Sequence, residues 1–149
     1  MNPSPLLYLF AAAALAGCAG GGGVAPPGPA QPPEGVSSAR LGEEIRIGGL
    51  FVVPLRIEED SRCPSGVQCV QAGTVRLAVS VGGADWTRDI VLRLDDPQQV
   101  RAGTWLLLAA VCPQPRFPGP VPGGNYHFTF AVGIGGPPPP LDFACTRDS

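Results

Sequence analysis

Between residues 44 and 134 the chain returns again and again to a two-residue period. Glu44-Ile45-Arg46-Ile47 alternates polar and apolar. Phe51, Val53, Leu55 and Ile57 form an apolar set, with Val52, Pro54, Arg56 and Glu58 on the opposite face. Val75, Leu77, Val79 and Val81 alternate with Arg76, Ala78 and Ser80, and Ile90, Leu92 and Leu94 alternate with Asp89 and Arg93. Trp105–Val111 is continuously apolar, as in a strand covered on both faces. Tyr126, Phe128, Phe130, Val132 and Ile134 alternate with His127, Thr129 and Ala131. Period two is the repeat of an extended strand, and no segment carries the 3.6-residue stripe of an amphipathic helix. The expectation is an all-β chain: a single antiparallel β-sandwich-like domain of six to seven strands. Gly82-Gly83-Ala84-Asp85 predicts a hairpin turn. Pro54 lacks a ladder donor, which predicts an edge position or a bulge.

The first residues read differently. Leu6 to Gly17 is an apolar run of about 12 residues, against the ~20 that a membrane span requires. It ends in Leu15-Ala16-Gly17-Cys18, the pattern of a bacterial lipobox. Residues 1–17 are therefore expected to be a lipoprotein signal peptide, with the chain cleaved in front of Cys18 and Cys18 acylated on its sulfur. The segment 18–39 is Gly/Pro-rich, from Gly20–Gly23 to Pro32-Pro33, and reads as a tether. Removing 17 residues from 149 leaves 132, and the folding domain is placed at 40–149. Net charge is −2 and every basic residue is Arg, a balance with no attraction for nucleic acid. The expected setting is the bacterial envelope, lipid-anchored, with a membrane and an envelope protein as the expected partners. The residue after the acylated cysteine is Ala19 rather than Asp, which by resemblance to Gram-negative lipoprotein sorting implies the outer membrane, facing the periplasm.

Five cysteines are an odd number for an exported chain. Lipidation of Cys18 leaves Cys63, Cys69, Cys112 and Cys145, an even set for two disulfides in an oxidising compartment. Four cysteines allow three connectivities.

The segment Asp60-Ser61-Arg62-Cys63-Pro64, followed by Cys69 and Ala72-Gly73, resembles a group of small uncharacterised bacterial lipoproteins and exported proteins. The likeness covers roughly residues 40–134, including Pro113 and Pro115 after a strand and a final Tyr-led strand. The group usually has Trp where this chain has Gln71, and often only the first cysteine pair. The resemblance implies a β-sandwich-like fold and the pairing Cys63–Cys69, which leaves Cys112–Cys145; it implies no activity. In the chain-entropy model the first bridge closes about seven residues and contributes roughly 2.4 kcal/mol; the second closes about 34 and contributes roughly 3.8 kcal/mol.

Catalytic and metal chemistry find little support. Cys63 and Cys69 are spaced Cys-x5-Cys, longer than the usual zinc pairs, and no Cys-x-x-Cys redox motif occurs. His127, the lone histidine, is expected on the outward face of its strand. Glu58-Glu59-Asp60 reads as a solvated strand end, with Asp60 or Ser61 bonding backbone amides and Arg62 pairing with an acid. Trp86 and Trp105 are expected in the core. The expectation is thus a non-catalytic binding module without cofactor, its contact surface at the Cys63–Cys69 loop with Arg62 and Gln71. A protease-inhibitor-like protein and, less favoured, a hydrolase are the alternatives.

Overall fold

The computed structural model describes residues Gly35–Phe143 and Cys145. The segments read as signal peptide (1–17), acylated Cys18 and most of the tether lie outside the described residues. Among the described residues eight strands build two antiparallel sheets of four. In chain order they are β1 (Val36–Ala39), β2 (Ile45–Ile47), β3 (Leu50–Asp60), β4 (Val75–Gly82), β5 (Thr87–Arg93), β6 (Gln98–Arg101), β7 (Thr104–Cys112) and β8 (His127–Ile134). One sheet is ordered β1-β8-β7-β6 and the other β2-β3-β4-β5. A single 3₁₀ turn, Gly123–Asn125, precedes β8. The all-β sandwich is as the sequence predicts, and the bridges Cys63–Cys69 and Cys112–Cys145 are those that the resemblance implies.

Eight strands are one more than the upper expectation of seven, and two of them, β1 and β6, carry no legible period. β1 lies in the last residues of the segment placed in the tether, so the folded domain begins before residue 40. Val36-Ser37-Ser38-Ala39 is too short and polar to show a period, yet it pairs with Ala131 to Phe128 and buries Ala39. β6 is equally short and buries Val100 alone.

The core lies between the sheets. Val52, Leu77, Val79, Val81, Leu92, Leu106, Leu108, Phe128 and Phe130 are all fully buried there. The alternation of β4 thus holds, with its four apolar positions inward. On β3 the faces are reversed: Leu50 and Val52 are buried, whereas Leu55 is exposed and Phe51 and Val53 are half-buried. Residues 50–53 are apolar on both faces, so the period there carries no sidedness. The ladder then slips between Pro54 and Arg56, returning Ile57 to the core. Pro54 sits at this bulge, past the end of β2, which covers only Leu50–Val52. Ile134 is exposed rather than inward-facing.

Turns follow the local sequence. Gly48 and Gly49, with φ of 55° and 79°, form the two-residue loop between β2 and β3, a conformation that favours glycine at both places. Gly83 N–H donates to the Trp86 carbonyl at 2.9 Å and closes the β4–β5 hairpin. Where the sandwich opens between β5 and β6, side chains cap the strand edges: Gln98 Nε2 donates to the Val91 carbonyl at 2.8 Å, and Arg88 donates to that of Val100. Trp86 packs against the core, and the guanidinium carbons of Arg88 and Arg101 lie 5.5 and 6.0 Å from its ring centroid. Trp105 departs from the core expectation: it is half-buried and opposite Gly133, on the outer face.

Phe130→Ala should cost about 3–5 kcal/mol, because the cavity it leaves is walled by both sheets. Urea unfolding followed by circular dichroism should show a lower midpoint with an unchanged slope.

Candidate functional site

The end of the sandwich where β3, β7 and β8 meet gathers the chemistry. β3 stops at Asp60, and Ser61 N–H bonds the Thr74 carbonyl at 2.9 Å while Thr74 N–H returns to Ser61 Oγ at 3.1 Å. These two bonds close the neck of the 61–74 loop. Asp60 Oδ1 accepts from the Arg62 backbone N–H at 3.3 Å, as the acidic strand end predicts.

Arg62 turns inward and makes a fork with the same carboxylate. Nε donates to Oδ1 at 2.9 Å and Nη2 to Oδ2 at 2.7 Å. Nη2 also donates to the Pro113 carbonyl at 3.1 Å, and Nη1 donates to that of Val111. Tyr126, at the mouth of β8, donates its hydroxyl to Asp60 Oδ2 at 2.8 Å. Its ring lies parallel to that of Phe128, 5.8 Å between centroids. One guanidinium therefore ties the end of β3 to the end of β7, and one phenol ties β3 to β8. The Arg62 and Asp60 side chains are only 5% and 11% exposed, whereas the ion pairs Arg46–Glu44 and Arg101–Asp85 lie open to water. Exposed pairs contribute little; a buried bidentate pair dominates its surroundings.

The electrostatics follow from burial and pairing. Burial alone would raise the Asp60 carboxyl, but hydrogen bonds from Arg62 and Tyr126 and the Arg62 charge outweigh it. The result lies below the ordinary 3.8. Burial, reinforced by hydrogen bonding to the Asp60 carboxylate, pushes Tyr126 up to about 12.

Both disulfides flank this hub. Cys63 follows Arg62 directly, and its Cα lies 5.9 Å from that of Cys69. Cys112 sits between the two carbonyl acceptors of Arg62 and joins Cys145, Cα to Cα 5.5 Å. The stapled loop leans on the proline-rich loop 113–122: Ser65 N–H donates to the Pro115 carbonyl at 2.9 Å, and Ser65 bridges Arg116. Around the paired loops Val67, Val70 and Phe117 are 40%, 102% and 71% exposed. A cleft of about 380 Å³ opens beside the hub, lined by Arg62, Gly73, Asp95, Gln114, Leu141 and Phe143 among others.

Arg62, expected on the contact surface, is 7% exposed, so its charge is used internally rather than displayed. Gln71 is exposed, next to Val70. His127 is half-buried, at a hollow of about 300 Å³ lined by Arg40, Pro113, Gly124 and Asn125. No cluster of three or more His, Cys, Asp or Glu side chains suited to a metal occurs among the described residues. The sequence gives no sign of Tyr126 as a hub member, since it reads there as an ordinary core aromatic. No family model, curated protein or solved structure matches the chain.

Arg62→Met should cost about 3–5 kcal/mol, because it strands the Asp60 carboxylate and two carbonyls. Adding Asp60→Asn should return part of that loss; strict additivity in denaturant unfolding would contradict the coupling. In a Tyr8→Phe chain Tyr126 is the only phenol. Its ultraviolet titration should be centred near pH 12. Because the folded value is raised, its contribution to stability is complete below pH 10 and lost between 10 and about 12. The Asp60 contribution is complete above pH 3.8 and lost as acid drives the pH down through the depressed folded value.

Proposed function

We propose that the chain is a lipid-anchored bacterial envelope protein whose sandwich serves as a non-catalytic binding module. Cys18 is the acylated residue, held on the tether at the outer membrane and facing the periplasm. The observation that carries the binding role is the pair of interlocked loops at the hub end. They are preorganised by a disulfide, a buried ion pair and a loop-to-loop ladder contact, so little ordering entropy remains to oppose binding. Across residues 63–73 and 113–125 the one formal charge is Arg116, while Val67, Val70 and Phe117 stand exposed. Such a surface suits an apolar protein patch carrying a carboxylate for Arg116.

Gly35 accepts a hydrogen bond from Val132 N–H at 2.9 Å, while Ala39 pairs with Phe128 near the hub. The polypeptide therefore enters β1 toward the end of the sandwich remote from the stapled loop. The resemblance of the Asp60–Gly73 segment to small exported lipoproteins agrees with this setting. The same rigid loop supports a second reading, a protease-inhibitor-like protein that presents residues 64–68 to an enzyme. Around His127 the described lining residues are Arg40, Pro113, Gly124 and Asn125.

Cys18→Ser should move the chain from the membrane to the soluble fraction and abolish a lipid mass increment. Val70→Asp with Phe117→Asp should remove crosslinked envelope partners while leaving the thermal midpoint within a few degrees, since both side chains are exposed. Individual anchor residues of this kind are worth about 2 kcal/mol, roughly thirtyfold in Kd. An unchanged partner set would contradict the loop surface. Inhibition of a periplasmic protease, lost in the same variant, would favour the second reading.

A further inference from the structure

The last described stretch of chain crosses the outer face of the β1-β8-β7-β6 sheet. β7 is buried on both sides: Leu106 and Leu108 face the core, while Leu107, Ala109 and Ala131 form a second apolar cluster outside it. Leu141 and Val36 pack on that cluster. The covering segment, 136–143, contains four consecutive prolines, and among the described residues it makes no backbone hydrogen bond to the sheet. Two features hold it. Gly133 leaves a notch under it: a methyl there would strike the Gly136 carbonyl oxygen and lie 2.6 Å from Pro138 N. At its far end Cys145 is bonded to Cys112.

We propose that this strap is a releasable cover, latched by Cys112–Cys145. A dithiol reductant opens it by exchange: its first thiolate attacks one sulfur of the bridge, and its second thiolate then closes the reductant to a cyclic disulfide. Two electrons and two protons pass to Cys112 and Cys145, and both become thiols. Released, the strap bares Leu107, Ala109 and Ala131. It also removes one wall of the cleft beside Arg62, since Leu141, Asp142, Phe143 and Cys145 line it. The sandwich stays folded, because its principal core contains no strap residue. The hub bonds run to the carbonyls of Val111 and Pro113 rather than to sulfur. The inference stands apart from the binding role of the stapled loop.

The test uses the full chain and three variants: Cys145→Ser, Gly133→Ala, and Cys63→Ser with Cys69→Ser. Hydroxyl-radical footprinting reads the exposure of Leu107 and Leu141, an apolar dye reads uncovered surface, and far-ultraviolet circular dichroism reads the sheets. Dithiothreitol or Cys145→Ser should raise labelling at both leucines and dye fluorescence several-fold with unchanged sheet signal. Loss of the Cys63–Cys69 bridge should leave labelling at the parent level. Gly133→Ala, with every cysteine in place, should lower the dithiothreitol concentration that opens Cys112–Cys145 several-fold, because seating and bridging assist each other. Unchanged labelling in Cys145→Ser, release only together with loss of the sheet signal, or unaltered dithiothreitol sensitivity in Gly133→Ala would each overturn the proposal.

Discussion

A buried guanidinium decides how the two sheets meet. Burying Arg62 and Asp60 carries a desolvation cost that their mutual attraction offsets only because the geometry is bidentate and the surrounding acceptors are filled. Four Arg62 bonds and the Tyr126 hydroxyl meet that condition. The consequence is specificity of arrangement. Apolar contacts between sheets tolerate sliding, but a planar fork aimed at one carboxylate and at the carbonyls on either side of Cys112 fixes a single alignment. The loops at this end then inherit their positions.

The disulfides act within that frame. Cys63–Cys69 shapes a loop whose base is held by the Ser61–Thr74 bonds and by Arg62, while Ser65 docks it on Pro115. Cys112–Cys145 serves a different layer, the strap on the outer face of the sheet. Covalent closure of both a loop and a tail constrains the unfolded chain and adds to the stability that the core supplies. In the proposed binding role, rigidity at the loop end would keep the exposed Val70 and Phe117 displayed as contacts.

Much of this was legible in the residues, for identifiable reasons. β4 and β5 announce themselves because one face is apolar and the other is not. The turn at Gly82–Asp85 and the Asp60–Arg62 pairing are local, so neighbouring residues suffice. β3 misleads because residues 50–53 are apolar on both faces and a bulge at Leu55 shifts the parity. β1 and β6 are too short to show a period and exist only through their partners. Tyr126 reaches Asp60 across 66 positions, and Gly133 matters only once the proline segment lies over it. Both are facts of tertiary proximity that no local pattern contains. Arg62 was correctly an acid's partner and wrongly a displayed charge, because pairing and burial are separate questions.

The hub itself is most directly visible in the side-chain nitrogens of Arg62. With nitrogen-15 labelled arginine, nuclear magnetic resonance should show one guanidinium whose Nη protons are individually resolved, slow to exchange with water and hindered in rotation. Those signals should vanish in Arg62→Met. A spectrum in which every arginine gives averaged, rapidly exchanging Nη signals would contradict a guanidinium locked between the sheets.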